Sequence, residues 1–482
     1  MNPVSEHAAI LTRRQLLGQA GLGVGAAALS TLLGNKSSAA LPDPTAPLLP
    51  NFAPKAKRII YLFQNGGPTH VDLFDYKPAL RKLQGQPLPD ELLAGKRFST
   101  MTSGAEKSFL PEITKFARNG KCGKWIAEDF LPRTASIVDD LCFVQSMRTT
   151  QVNHAPAITY FLTGSEMAGK PSLGAWLTYG LGCASENLPG FIVMTSRDRE
   201  ATCGQIFYDF YWGSGFLPSK YQGVKFRGGG DPVLYLSNPQ GISRSIRRTQ
   251  LDDLATLNQI NMDRLGDPEI ATRVAQYEMA YKMQASVPEL SDLSTEPEHI
   301  LKMYGPQVHE KGSFAYNCIM ARRLAERGCR FIQLMHAGWD QHSNLNTQLK
   351  IQCTDTDAPS AGLVQDLKQR GMLDDTLVVW GGEFGRTPFQ QNKSGGRMGR
   401  DHHPYAFSLW MAGGGVKPGF TYGESDEFGF NVASNPVQVN DLQATLMHLM
   451  GIDHERFTFR FQGLDQRLTG VEESRIVDEI IA

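Results

Sequence analysis

The sequence of 482 residues lacks the cysteine pattern of a disulfide framework or a thiolate zinc site. Its seven cysteines lie far apart, are odd in number and include no C-x-x-C motif. The chain also lacks an excess of charge of either sign, because its formal net charge is -1. Without a broadly basic surface, we expect no nucleic-acid partner, and an anionic substrate must be held by a local site.

A long, strongly apolar run is also missing beyond the first forty residues, so we expect no stable membrane span in the mature protein. The N-terminal part has T-R-R-Q-L-L at 12–17, an apolar Gly/Ala-rich run at 18–34 and small residues at 37–40. This order is typical of a twin-arginine signal, whose export machinery carries folded proteins. An uncleaved anchor is the alternative. We predict a signal peptide at 1–40, a tether at 41–57 and a periplasmic or extracellular location.

Short apolar runs recur along the rest of the chain, as expected of strands that are buried on both faces of a sheet. Between several of them the apolar spacing is helical, as at 313–327 and 361–370, and each stretch ends at a glycine. Strands that alternate with helices predict an α/β fold with a mostly parallel sheet covered by helices on both faces. The predicted strands are 58–64, 141–146, 191–195, 330–335, 376–380 and 407–412.

One large domain is expected over 58–470, followed by a C-terminal tail at 471–482. Within it, the stretch 244–303 is charged, poor in β-branched residues and helical in period. We interpret this stretch as a helical insertion or a lid on the main domain.

Ligand-type side chains gather beside the predicted strand ends, where small molecules bind in α/β sheets. His336, Asp340 and His342 follow the fourth strand within seven residues, and the run D-H-H at 401–403 precedes the sixth. Imidazole and carboxylate together suit Zn, Mn or Fe. A lone histidine is usually structural, but two such clusters at different strand ends predict one shared metal.

Three further strand ends are unusually polar. The first strand leads to Asn65, His70 and Asp72, the second leads to N-H-A-P at 153–156 with His154, and the fifth leads to Glu383 and Arg386. Arg386 or Arg400 could hold an anion through the planar guanidinium, although surface ion pairs are an equal alternative for each. The candidate site residues outside the two clusters are therefore Asn65, His70, Asp72, His154, Glu383, Arg386 and Arg400, with Asp401 beside the predicted ligands.

Several motifs follow one another in a fixed order: T-L-V-V-W-G-G-E-F-G from 376, R-D-H-H-P from 400 and N-D-L-Q-A-T-L-M-H-L-M-G-I from 440, after N-H-A-P-A-I-T-Y-F-L-T-G from 153. This order resembles the alkaline phosphatase/sulfatase superfamily. G-W-D-Q-H and E-F-G-R-T-P more narrowly resemble the bacterial family named domain of unknown function 1501. The resemblance covers most of 58–455 and implies an alkaline phosphatase-like fold and a divalent metal: Zn, Mn or Ca.

Carried over residue by residue, the resemblance retains part of a metal site. Asp340 and His342 resemble metal ligands at a shortened spacing, and His402 or His403 resembles the last metal-binding histidine. Glu383 replaces the aspartate of the superfamily's Asp-His pair and joins the predicted ligands. The resemblance thus implies one retained metal site out of the usual two.

Two other positions depart from the superfamily. Asn65 or Gln64 stands where its members have the first-strand aspartate, and His154 stands where they have the Ser, Thr or Cys nucleophile. His154 could attack the substrate, act as a general base or bind the metal. A formylglycine cannot form there, because that modification needs Cys or Ser.

The sequence therefore predicts an exported metal-dependent hydrolase or transferase that acts on phosphate or sulfate esters, possibly of glycans. Its partners would be an anionic small molecule or glycan ester and the twin-arginine export machinery. The alternative is a non-catalytic cell-envelope protein that binds a glycan or surface polymer on the same scaffold.

Overall fold

The computed structural model describes residues 50–99, 102, 106–200, 206–228, 233, 238–391 and 398–482. The signal expected at 1–40 and the first part of the tether lie outside the described residues, and both stay predictions. Among the helices that the structure describes, none has the length and apolar character of a membrane span.

A nine-stranded sheet forms the centre of the described chain. Across the sheet the order is β8-β2-β7-β6-β1-β5-β3-β4, and β9 pairs with β2. Only β7 runs antiparallel to its neighbours in this sheet, which confirms the prediction of a mostly parallel sheet. Numbered along the chain, the strands are β1 (Arg58–Asn65), β2 (Leu141–Arg148), β3 (Phe191–Arg197), β4 (Val224–Phe226), β5 (Phe331–Ala337), β6 (Thr376–Gly381), β7 (Phe407–Ala412), β8 (Phe420–Tyr422) and β9 (Val437–Gln438).

Helices cover both faces of this sheet. The longer ones are α1 (His154–Thr163), α2 (Leu173–Leu181), α3 (Arg244–Leu265), α4 (Pro268–Ser291), α5 (Phe314–Glu326), α6 (Leu345–Gln369) and α7 (Val439–Leu449). Short helices lie at His70–Leu73, Ala79–Lys82, Asp90–Leu93, Pro132–Ser136 and Glu298–Met303. Short antiparallel pairs join Ser108–Phe109 to Phe389–Gln390, Phe116–Asn119 to Lys124–Ala127, Gly385–Arg386 to His402–His403, Glu424–Ser425 to Val432–Ser434 and Phe459–Phe461 to Leu464–Gln466.

The apolar runs of the sequence are continuous because successive side chains of a strand enter two different cores. In β1, Ile60 and Leu62 join one core cluster, to which α5 and α6 contribute. Tyr61 and Phe63 point the other way, into a cluster formed with α1, α2 and α7. Both faces of the sheet are therefore buried, as the sequence predicts.

Helix α5 shows why its ends could be located from the sequence. The Ser313 hydroxyl caps its first turn by accepting a hydrogen bond from the Tyr316 N–H. The chain leaves the helix before Gly328, whose φ of 86° lies in the left-handed region that favours glycine.

The stretch 244–303 is helical, as predicted, and contains α3, α4 and the short helix Glu298–Met303. Its hydrogen bonds reach the segments that precede β3 and β4. Lys282 donates to the Glu186 carbonyl, and the Ser219 hydroxyl donates to Glu269. These contacts lie at the amino-terminal ends of the strands, opposite the edge where the candidate ligands gather. The insertion is therefore not a lid over that edge.

Candidate metal centre

Four ligand-type side chains converge at the carboxyl edge of the sheet: His154, Asp340, His342 and His402. One potential ligand atom from each lies within 4.8 Å of the corresponding atoms of the others. His154 opens α1 after β2, and Asp340 and His342 follow β5. His402 lies in the short pair that precedes β7. The fold thus brings together residues from three separate segments.

The three imidazoles present the same ring atom to Asp340. Their Nε2 atoms lie 3.2 Å (His154), 2.8 Å (His342) and 3.2 Å (His402) from the carboxylate atom Oδ1. The Nε2 atoms of His342 and His402 are 3.0 Å apart. The site therefore offers three nitrogen donors and one oxygen donor around a single point.

Each imidazole is held from behind through its other nitrogen. The Nδ1 atom of His154 lies 2.7 Å from Glu383 Oε1, that of His402 lies 2.6 Å from the Val152 carbonyl, and that of His342 lies 2.5 Å from Gln391 Oε1. All three partners are oxygens that can only accept, so each Nδ1 carries a proton and donates. The Nε2 atom of each ring, the atom that would bind a metal, thereby faces the Asp340 carboxylate.

The site is built to hold positive charge. Burial lowers the pKa of His154, but its hydrogen bonds to Asp340 and Glu383 outweigh burial and raise that pKa to about 9. Burial opposes ionisation of Asp340, yet Arg386 and the three histidines hold its pKa well below the usual range. The raised pKa means that His154 carries a positive charge between the two carboxylates near neutral pH, and a bound metal cation would take the place of that charge.

One side of the cluster is open to solvent. The side chains of His154, His342 and Asp340 are 18%, 21% and 14% exposed, whereas that of His402 is 5% exposed. The partial exposure therefore favours a site that a small molecule can reach.

Arg386 lies at the cluster but faces inwards. Its guanidinium is buried and donates to the carbonyls of Gly66, Gly67 and Arg400 and to Asp340 Oδ1, at 2.5 Å. The hydrogen-bond donors of Arg386 are thus used by backbone carbonyls and Asp340, and not by an anionic substrate as the sequence suggested. It holds Asp340 in place instead.

Glu383 stands behind His154 and is not among the four converging ligands. Both of its oxygens accept from the Gly66 N–H, at 2.9 and 3.2 Å, while Oε1 also accepts from His154. Gly66 has a φ of 117°, and a Cβ there would lie 2.6 Å from the Asp340 backbone nitrogen. Only glycine fits this approach between the loops after β1 and β5.

The sequence matches the family described as "Protein of unknown function (DUF1501)" over residues 56–481. The chain belongs to the DUF1501 family. No match was found among curated proteins.

Solved structures similar to this DUF1501 chain include Ps i-CgsB in complex with k-i-k-neocarrahexaose, with a TM-score of 0.36 and 12% identity over 82% of this chain and 72% of that one. PsFucS1 sulfatase from Pseudoalteromonas sp. has a TM-score of 0.34 and 12% identity, over 87% and 72% of the two chains. Alkaline phosphatase from the Antarctic bacterium TAB5 has a TM-score of 0.31 and 9% identity, over 82% and 98%.

His403 and His70 were expected at the site of this DUF1501 protein, but their bonds lead elsewhere. Adjacent strand residues point to opposite sides, so His403 turns away from the cluster that His402 joins. Its Nε2 donates to the Phe430 carbonyl, and that of His70 donates to the Gly429 carbonyl. The two rings stack with centroids 6.0 Å apart. The ligand role expected for His403 is therefore replaced by a packing role.

Arg400, Asp72 and Asp401 form buried structural contacts. Arg400 pairs with both oxygens of Asp72, at 2.7 and 2.8 Å, and its remaining donors bind backbone carbonyls. Asp401 accepts from the hydroxyls of Ser99 and Thr102 and from the backbone N–H of His402. These residues brace the strand that carries His402, and the expected substrate role of Arg400 does not fit its saturated donors.

Asn65 ends β1 with a fully buried side chain. Neither amide atom has a hydrogen-bond partner within the described parts of the chain. It is not one of the four converging ligands, so the expected site role of Asn65 stays a prediction.

His336 is a core residue in this structure, contrary to its placement among the candidate site residues. Its Nδ1 accepts from the Ser196 hydroxyl at 2.9 Å, and its Nε2 donates to Gln352 Oε1 at 3.0 Å. The ring is fully buried, and burial lowers the pKa of His336 to about 4.

This burial predicts acid sensitivity. The pKa of His336 is lower in the folded protein than in the unfolded chain, where it is about 6.5. The neutral ring of His336 therefore imposes no penalty above pH 6.5, and the free energy of unfolding falls by up to about 3 kcal/mol as pH falls towards 4. We expect His336→Gln to flatten the fall in unfolding free energy between pH 6.5 and 4.5, measured by urea unfolding with a chelator present. An unchanged slope in the variant would contradict the assignment.

Two supports of the site had no signal in the sequence. Gln391 and the Val152 carbonyl orient His342 and His402, yet a lone glutamine and a backbone oxygen carry no recognisable motif. By contrast, the proximity of His154 to Asp340 agrees with the alignment of N-H-A-P to the nucleophile segment.

Proposed function

We propose that this DUF1501 protein is a metal-dependent hydrolase of phosphate or sulfate esters. A single divalent ion would be held by His154, Asp340, His342 and His402. The observation that carries the proposal is the convergence of three imidazole Nε2 atoms on one carboxylate oxygen, with one side partly open to solvent. An ion held there would supply Lewis-acid polarisation of an ester oxygen and a bound water acidic enough to act as hydroxide near neutral pH.

The donor set supports Zn, Mn or Fe as the ion. Imidazole and carboxylate suit these metals, whereas calcium takes six to eight oxygen ligands. Three of the four donors here are nitrogens. We therefore do not carry forward the calcium expected from the resemblance.

The contacts of His154 support the ligand role among the three that the sequence leaves open. Its Nδ1 donates to Glu383, and its Nε2 faces the shared carboxylate oxygen. Glu383, fixed by the Gly66 N–H, orients this ring and keeps the proton on Nδ1. With His154 engaged as a ligand, the acceptor of the phosphoryl or sulfuryl group would be water, so hydrolysis is favoured over transfer through a histidine.

A binding protein without turnover remains the second candidate, and one observation supports it. Arg386 and Arg400, the two arginines expected to bind an anionic ester, are fully buried. Their donors bind backbone carbonyls and carboxylates. In either case we propose a location outside the cytoplasm, as the twin-arginine motif suggests, with an anionic or glycan ester as substrate or a glycan or surface polymer as ligand.

A panel of esters separates the two candidates. The protein loaded with Zn, Mn or Fe would be assayed with 4-nitrophenyl phosphate and 4-nitrophenyl sulfate, and with phosphorylated and sulfated glycans. We expect metal-dependent release from at least one class and loss by roughly 10²-fold or more in Asp340→Asn. Stoichiometric metal with no turnover of any ester would favour the binding protein.

A further inference from the structure

The helical insertion carries an apolar stripe that the described chain leaves uncovered. Helix α3 exposes Leu254 (39%), Leu257 (58%), Ile260 (59%) and Leu265 (56%). At about 100° per residue, these side chains fall within about 140° of the helix circumference. Large exposed apolar groups on one helix face mark an interaction surface.

This stripe is separate from the face that packs inside the insertion. Leu251 is only 3% exposed and lies about 120° around the helix from Leu257. On the inner side, Arg248 binds Glu278 of α4 and stacks on Tyr281. Helix α3 thus packs one face against α4 and leaves the apolar stripe on another face uncovered.

The uncovered stripe is complementary to itself in antiparallel orientation. With Leu257 as the centre, Leu254 and Ile260 lie three residues to either side, so each would face the other in a second helix. Asp253 precedes the centre by four residues, and Arg264 follows it by seven. In a symmetric pair, Arg264 of the second copy would lie about one helical turn from Asp253 of the first. The arrangement forms two equivalent ion pairs beside an apolar centre.

We propose that a second copy of this chain covers the stripe, through antiparallel contact of the two α3 helices about a twofold axis at Leu257. Such an interface uses the same surface on both copies and closes as a dimer. The 22-residue helix is about 33 Å long, so the contact approaches the lower range of specific interfaces, near 1,000 Å². A dimer that dissociates in the micromolar range is expected.

The twofold axis makes a position-specific test possible. In a background with Cys122→Ser and Cys203→Ser, we expect Leu257→Cys to form a disulfide-linked dimer under mild oxidation. The matched control is Thr256→Cys, which is exposed on the same helix but faces another direction. It should not cross-link, because a disulfide needs Cα atoms within about 7 Å.

Charge exchange provides a second measurement. We expect Asp253→Arg and Arg264→Asp each to weaken dimerisation by roughly tenfold, and the double variant to restore it, in sedimentation across the micromolar range. A chain that stays monomeric throughout that range would overturn the proposal, even if the stripe bound vesicles or another protein. A dimer that persists unchanged in Leu257→Glu would overturn it as well.

Discussion

Replacing His402 with alanine is expected to weaken metal binding by roughly 10²–10³-fold. A site with four protein ligands binds its metal with a free energy of ~10–16 kcal/mol, and removal of one ligand loses about a quarter of that binding free energy. The remaining Nε2 atoms of His154 and His342 still face Asp340, so a weaker three-ligand site should survive. Competition with a chromogenic chelator measures the affinity, and elemental analysis gives the stoichiometry. The double variant Asp340→Ala/His342→Ala should lose the metal altogether.

The neighbouring histidine is the matched control for this experiment. His403→Ala removes an imidazole from the same two-residue strand, but its ring binds the Phe430 carbonyl on the opposite side. Its metal affinity should therefore match that of the wild type. Glu383→Gln should lie between the two, with a loss of 10–100-fold, because it disturbs only the group that orients His154. Equal losses in His402→Ala and His403→Ala would rule out the ligand set.

The second large effect concerns His154 and separates its possible roles. If His154 binds the metal, the metal concentration that gives half-maximal ester hydrolysis should rise by roughly 10²–10³-fold in His154→Ala, with activity returning at high metal. A nucleophile or general base would behave differently. Its removal would lower the rate by roughly 10²–10⁴-fold at every metal concentration. Titrating metal at saturating substrate distinguishes the two patterns.

A second substitution separates chemistry from packing. His154→Asn retains some hydrogen-bonding capacity towards Glu383 but offers neither an imidazole ligand nor a base. It should therefore follow the alanine variant in activity while unfolding at the wild-type midpoint. Full activity in both variants would remove His154 from the reaction.

The strands of the sheet could be predicted because burial on both faces leaves a local signature. Residues 59–63 and 377–380 are apolar without interruption, and both runs lie in the middle of the sheet. The full length of α6 could not be predicted, since the sequence indicates only its end near 361–370. Its middle, T-D-T-D-A-P at 354–359, is poor in helix-forming residues, and tertiary contacts override this poor propensity. Asp357, for example, accepts from the backbone of Arg133 and Thr134.

The candidate site, like the fold, could be predicted from the sequence only in part. Ligand-type residues crowded beside strand ends predicted Asp340, His342 and one of the pair His402 and His403. The choice within that pair depends on which side of a two-residue strand faces the cluster, and the sequence does not encode that register locally. The arginines were equally ambiguous, because a guanidinium that binds an anion and one that binds carbonyls have the same sequence signature.

The four side chains proposed as ligands lie at positions 154, 340, 342 and 402, at a helix start, in a loop and in a short strand, so the centre exists only after the sheet has assembled. Under the proposed function, metal acquisition would then be a late event in folding, and the metal would be selected in the compartment where the chain folds. For a protein that crosses a membrane already folded, as the sequence predicts here, that compartment is the cytoplasm. The ion at the centre would then reflect the buffered metal pools inside the cell rather than the composition of the medium outside it.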